Sequence, residues 1–343
     1  MKDTNSIILQ MLSENKSVNE IVEKTGLSHK RLFFRLNLLK LKGYEYKMKY
    51  YYNGDIVYQL INDLNSYGKK DTTIITSKED NEFRAMVISD LHLGSTKQRL
   101  DLLNQVYDYC AKKGIHIILN LGDVIDGVNL GSKKNITSFE EQIEYAIKNY
   151  PFDKNIINFL CLGNHDYDSL KSTGQDLALA LGARRHDLVA VGYGTGIINI
   201  KNDQIIMRHP TTPSIESNNI FNNKIILSGH SHLTKYTTSS DSSLKINVPS
   251  LSDLNLNNEI LPGALVINFK FSGGYFSVAE VFQLLFSNNK IYKVSETNFN
   301  VSKGKDIASR IVNNEEERKK VLTMNSQNTR LNQIEKFNKR YSR

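Results

Sequence analysis

Five apolar runs in the middle of this chain end in the same way. "FRAMVISDLH" (83–92), "IHIILNLGD" (115–123), "NIINFLCLGNHD" (155–166), "QIIMRH" (204–209) and "KIILSGHSH" (224–232) each pass from aliphatic residues straight into Asp, Asn or His. Short apolar runs bounded by turn residues read as buried strands. Between them, "TKQRLDLLNQVYDYCAKKG" and "SFEEQIEYAIKNY" carry helical spacing. Residues 82–300 therefore read as an α/β domain with a strand-rich C-terminal half.

In open α/β sheets, functional groups collect just outside the carboxyl ends of the strands. Here those ends hold Asp90, His92, Asp123, Asn164, His165, Asp166, His209, His230 and His232, and so five of the chain's eight histidines. A single Asp in such a place is ordinarily a helix cap, and a single His a satisfied core or surface residue. Five endings in one domain, all oxygen or imidazole and none thiolate, describe a site for two divalent cations: Mn first, with Fe, Zn and Ni also suited. His230 and His232 share a face only if the backbone stays extended, whereas a turn at Gly229 lets them converge from different directions.

Charge divides the chain in three. Residues 1–70 carry 12 Lys/Arg against 7 Asp/Glu, residues 71–300 carry 21 against 24, and residues 301–343 carry 11 against 5. The net +8 thus lies in the flanks, around a mildly acidic centre. Such a split points to an anionic partner held by the ends and chemistry done in the middle. No apolar run approaches the ~18 residues of a membrane span, so no membrane partner is expected. The N-terminus lacks the long apolar core of a signal peptide, and Cys110 and Cys161 stand alone. A reduced, cytoplasmic protein without disulfides is the expectation.

The first 65 residues read as three helices and a hairpin. Ser17 with Glu20 makes a capping-box pattern, Gly26 and Gly43 are stops, Ser28 is a candidate N-cap, and Asn53-Gly54 is a strong hairpin turn. This order resembles a winged helix-turn-helix whose recognition helix, 28–42, carries Lys30, Arg31, Arg35 and Lys40, with Lys47 and Lys49 on the wing. Those six cations are the candidate nucleic-acid contacts. Phe33 and Phe34 fall where base-reading side chains usually stand, which suits docking on the α/β domain, on a second subunit or on unpaired bases. Residues 66–81 read as a linker and 301–343 as a basic tail, partly helical or disordered.

In order and spacing, D-x-H, G-D, G-N-H-D, H and G-H-x-H resemble the five motifs of the calcineurin-like metallophosphoesterases. The resemblance implies a four-layer αββα sandwich. It implies that Asp90, His92 and His232 hold one metal, that Asn164, His209 and His230 hold the other, and that Asp123 bridges both. His165 would be the acid near the leaving group, oriented by Asp166. "GDVIDG" has Gly127 directly after Asp126, where the protein phosphatases of this superfamily have an Arg that grips a phosphomonoester. That departure is more similar to the nuclease and phosphodiesterase branches.

The whole chain then reads as a dinuclear-metal phosphodiesterase or nuclease acting on DNA held by the winged-helix-like region. One alternative is a phosphatase or phosphodiesterase for a small molecule or phosphoprotein, with the N-terminal region as a docking module. Another is a DNA-binding regulator with a phosphoesterase domain as sensor. A homodimer is compatible with all three.

Overall fold

A computed structural model describes residues 4–60, 72–77, 79–127, 136–210, 225–238, 243–253, 261–287 and 290–301. The chain starts with α1 (Thr4–Ser13), α2 (Val18–Thr25) and α3 (His29–Leu41), followed by the hairpin β1 (Tyr46–Tyr51) and β2 (Ile56–Leu60). The local signals act as their chemistry dictates. Ser17 accepts from the Glu20 amide while Glu20 accepts from the Ser17 amide, and Gly26 ends α2 at φ +67°. Ser28 caps α3 through the Arg31 amide. Ile8, Leu12, Val18, Ile21, Leu32, Leu36 and Leu39 are the apolar stripes these helices bury.

This region is built into the rest of the molecule through a sheet. Residues 72–75, inside the stretch expected to be a linker, form β3 (Thr72–Ile75), which runs parallel to β1 with Tyr50 opposite Ile74. Ile74 is buried, so four residues in polar surroundings become a strand because tertiary neighbours flank them. Residues 66–71 and 78 of that stretch and the basic tail after Val301 lie outside the described residues.

The α/β part follows as β4 (Glu82–Ile88), α4 (Leu100–Lys113), β5 (Ile117–Asn120), α5 (Phe139–Asn149), β6 (Ile157–Leu162), α6 (Asn164–Thr173), α7 (Leu177–Arg184) and β7 (Leu188–Tyr193). Strands β8 (Thr195–Ile200), β9 (Asp203–Arg208), β10 (Ile225–Ser228), β11 (Lys235–Thr238), β12 (Leu244–Asn247), β13 (Gly263–Ser272), β14 (Tyr275–Ser287) and β15 (Lys290–Asn300) complete it. They form two sheets: β11-β12-β10-β9-β8-β3-β1-β2 and β15-β14-β13-β4-β5-β6-β7.

Period-two alternation decides which side chain goes where. Ala85 and Val87 of β4, with Leu119 and Phe159, face Ile198, Ile205, Leu227 and Ile246 across the gap between the sheets. Met86 and Ile88 point the other way, into a second core with Leu103, Val106, Ile143 and Leu181 of α4, α5 and α7. The result is a two-sheet α/β sandwich with a helical layer on the seven-stranded side. Between β8 and β15 the described residues contain no helix, so the second outer helical layer of the expected four is not among them.

Helix α3 is held against the sandwich by a ring cluster. His29 stacks on His186 at 5.9 Å and meets Phe152 at 5.4 Å, and Phe33 lies 5.3 Å from His186. Asn37 donates to the Ala183 carbonyl at 3.0 Å, and Asn19 of α2 donates to the Lys154 carbonyl. These partners precede β6 and β7, so α3 docks at the amino ends of those strands. Phe33 is therefore a docking residue, whereas Phe34 points outward and is 62% exposed.

Candidate metal centre

The carboxyl ends of β4, β5, β6, β9 and β10 converge. Asp90, His92 and His232 offer ligand atoms that all lie within 4.8 Å of one another, and so do Asp123, His209 and His230. His232 Nε2 is 3.3 Å from Asp90 Oδ1, and His209 Nε2 is 3.0 Å from Asp123 Oδ2 and 4.0 Å from Asp90 Oδ1, which ties the two groups together. Asn164 begins α6 beside them, and its Oδ1 is buried with no hydrogen bond among the described residues. Asp90 Oδ1 and both ring nitrogens of His92 are likewise buried without one. Leaving so many polar atoms unmet costs about 1–3 kcal/mol each unless a ligand satisfies them. The donor set fits two divalent cations.

The loops reach this arrangement at a conformational cost. Seven non-glycine residues among those described have positive φ, and five of them are Asp90, His92, Asp123, His230 and His232. The turn at Gly229 thus lets the last two histidines approach from different directions, as the second of the two sequence readings has it. Gly163 matters by size: a Cβ there would lie 2.2 Å from Asp123 Oδ1 and 2.7 Å from the Asp123 amide nitrogen.

Second contacts orient the rings. His209 donates from Nδ1 to the Leu121 carbonyl at 2.6 Å, which leaves Nε2 facing Asp123. His165 donates from Nδ1 to the Asp126 carbonyl at 2.6 Å, and its Nε2 lies 3.9 Å from Asp123 Oδ2. The group that orients His165 is therefore a backbone carbonyl. The Asp166 carboxylate instead accepts from the amides of Ile125, at 3.0 Å, and Gly163, at 2.8 Å. Asp166 clamps the two loops and sets the start of α6, because its side chain at the third helical position reaches back to the N-cap amide.

Electrostatics favour ionised carboxylates. Burial works against the charge of Asp90 and Asp123, but His232 and His209 beside Asp90, and His209, His92 and His165 beside Asp123, hold both carboxyls below the usual range. Burial also works against protonation of His209, yet the charge of Asp123 raises it to about 9. Burial and the neighbouring Asp123 push Asp166 up to about 6.

Sequence reasoning passed over Asp126 as a site residue. Its Oδ1 lies 3.5 Å from His92 Nδ1, and it groups with His92 and His165. The available signal was the three-residue spacing from Asp123 in "GDVID". The N-terminal cations, in contrast, are not brought to the centre. Lys30, Arg31, Lys40 and Lys47 are exposed, Lys49 is half-buried, and Arg35 donates to Asn5 Oδ1 at 2.8 Å. Lys30, Arg31, Arg35 and Lys40 stand on α3, which docks near the amino end of β6, and β6 spans six residues, or ~20 Å at ~3.3 Å per residue.

Residues 83–259, just over half of the chain, match the family model described as calcineurin-like phosphoesterase. No curated protein matches the sequence. Among solved structures, the chain is similar to zinc-complexed Vps29 from Entamoeba histolytica, with 13% identity, 64% of this chain and 100% of that one covered, and a TM-score of 0.39. It is also similar to Yfce, a phosphoesterase from E. coli, with 15% identity, 64% and 100% coverage and a TM-score of 0.38. For the Pseudomonas putida nuclease MPE the values are 14%, 61% and 87%, and 0.32. Among the described residues, no helix is long and apolar enough to cross a membrane.

Proposed function

Because the chain belongs to the calcineurin-like phosphoesterase family, and is accordingly a metal-dependent phosphoester hydrolase, we propose that it cleaves phosphodiesters and that its substrate is DNA. The observation that carries the reading is the convergence of two ligand groups, Asp90–His92–His232 and Asp123–His209–His230, with Asn164 beside them. Asp90, His92 and His232 would hold one cation, and Asn164, His209 and His230 the other, with Asp123 between the two. The chemistry such a pair supplies when bound is neutralisation of the phosphoryl oxygens and a water acidified toward neutral pH.

The rest falls to the chain's own groups. Asp90 and Asp123 stay ionised, the state in which they would hold cations. His165, with Nδ1 committed to the Asp126 carbonyl, has Nε2 for a proton that it gives to the departing alkoxide. Gly127 supports a diester substrate. Its φ is +65°, and a Cβ would lie 2.6 Å from the His165 carbonyl oxygen, so no arginine is accommodated at this position. The flanking positive charge supports a polyanion as substrate.

The test is parallel hydrolysis, with Mn²⁺, of bis-p-nitrophenyl phosphate, p-nitrophenyl phosphate and single- and double-stranded DNA. The diester and DNA should be cut. His165→Ala should lose ~10²–10⁴-fold in turnover while retaining two metals by elemental analysis. Turnover of the monoester alone would reject the reading. A second reading, a small-molecule or phosphoprotein hydrolase with α1–α3 as a docking module, is favoured by one observation: the outward face of α3 is apolar.

A further inference from the structure

Of the large apolar side chains that stand exposed among the described residues, five fall within one fifteen-residue stretch: Phe34, Leu38, Leu41, Tyr44 and Met48. Phe34, Leu38 and Leu41 recur at helical spacing on α3, on the side opposite the buried Leu32–Leu36–Leu39 face. Leu41 is 85% exposed and Phe34 62%, so the stripe protrudes. Tyr44 and Met48 extend it across the turn into β1, where the Tyr46 hydroxyl donates to the Leu36 carbonyl and ties strand to helix. Cations border it. Lys30 and Arg31 stand one turn before Phe34, and Lys42 stands one turn after Leu38, all of them exposed.

We propose that this face is an exosite for single-stranded DNA, with the base faces laid on Phe34, Tyr44 and the leucines and the phosphates on Lys30, Arg31 and Lys42. The proposal rests on the DNA reading above and narrows it. A duplex presents phosphates and groove edges and hides its base faces in the stack, so it meets the cations but leaves the apolar stripe uncovered. A single strand is an amphipathic polyanion that presents both, and rings beside a basic track are how unpaired strands are held. A recognition helix for a duplex would carry Arg, Asn or Gln where α3 carries Phe34 and Leu38.

The experiment is fluorescence anisotropy of the full chain in EDTA, with a labelled (dT)20, a 20-base-pair duplex and an abasic 20-mer. The expected result is that (dT)20 binds at least ~10-fold more tightly than either of the others. Phe34→Ala with Tyr44→Ala should weaken (dT)20 by ~5-fold or more, as loss of stacking does, with the salt dependence unchanged. Lys30→Gln with Arg31→Gln should instead flatten the salt dependence by roughly 0.7 per lost phosphate contact. All these side chains are exposed, and an unchanged melting temperature checks that each variant is folded.

Equal affinity for the duplex or the abasic strand, or no effect of the ring substitutions, would overturn the exosite. So would binding to phosphatidylglycerol vesicles in place of (dT)20, or a dimer in light scattering that Leu41→Glu disperses, since either assigns the stripe to another occupant. Turnover of bis-p-nitrophenyl phosphate by the unaltered chain is measured alongside. Its absence rejects the phosphodiesterase reading while leaving the binding result to stand or fall by itself.

Discussion

Asp90, His92, Asp123, His230 and His232 sit in a backbone region that non-glycine residues rarely occupy. Asp and His tolerate it better than most, but each instance still costs on the order of 1 kcal/mol. Together with the buried polar atoms around Asn164, this makes the centre a locally unfavourable part of the metal-free fold, stabilised when cations bind. Titration with Mn²⁺ to ~100 times its dissociation constant should therefore add about 2.7 kcal/mol. That would raise the melting temperature by ~4 °C in a chain of this size, and EDTA should reverse it. A melting temperature indifferent to both would mean the centre holds no divalent ion. Gly163 gives a sharper test. Gly163→Ala places a methyl 2.2 Å from Asp123 Oδ1, so Mn²⁺ affinity should fall at least ~10-fold while the far-ultraviolet circular dichroism is kept. Unchanged affinity would show that Asp123 moves freely and holds no metal. Residue types at strand ends were enough to nominate all of these groups. Which atom orients His165 was not legible, because a backbone carbonyl has no sequence signature.

At the scale of elements, local and distant causes separate cleanly. The capping box of α2, the Gly26 stop and the Asn53-Gly54 turn follow from residues within four positions of one another, and the sequence displays them. The β3 strand does not, since it exists through its pairing with β1 and β8. The long pair β14–β15 carries alternation that could have been read, but nothing in it announces that β14 extends the sheet past β13. The seating of α3 depends on His186, whose pKa burial lowers to about 4. A histidine buried neutral stabilises the fold fully above its unfolded pKa of ~6.5, and that contribution is lost as pH falls from ~6.5 toward about 4. The loss amounts to at most ~3 kcal/mol. Urea midpoints should accordingly drop between pH 6.5 and 4, and His186→Phe should flatten the drop. An identical pH profile in that variant would remove His186 as the cause.

The whole molecule sets the distance between chemistry and charge. The metal ligands leave the carboxyl ends of the strands, and α3 docks near the amino ends of β6 and β7, ~20 Å away along β6. A stacked strand that touches both spans about six nucleotides, at ~3.4 Å per nucleotide. Under the DNA reading, KM for single-stranded DNA should fall steeply between dinucleotides and strands of ~10–20 nucleotides, with kcat little changed. A KM independent of length would detach the N-terminal cations from substrate binding and favour the docking-module reading.

The nature of the chemistry was determined by the sequence, since Asp, Asn and His at five strand ends constitute a donor set whatever the packing, and strand ends are local features. Three things were decided only by tertiary structure: the grouping of those donors, the docking of Phe33 on His186, and the outward turn of Phe34 beside exposed cations. The first two depend on segments more than a hundred residues apart coming together, and the third on the packing that buries the opposite face of α3. Helical and strand periodicity tell which face of an element is buried, but not against what.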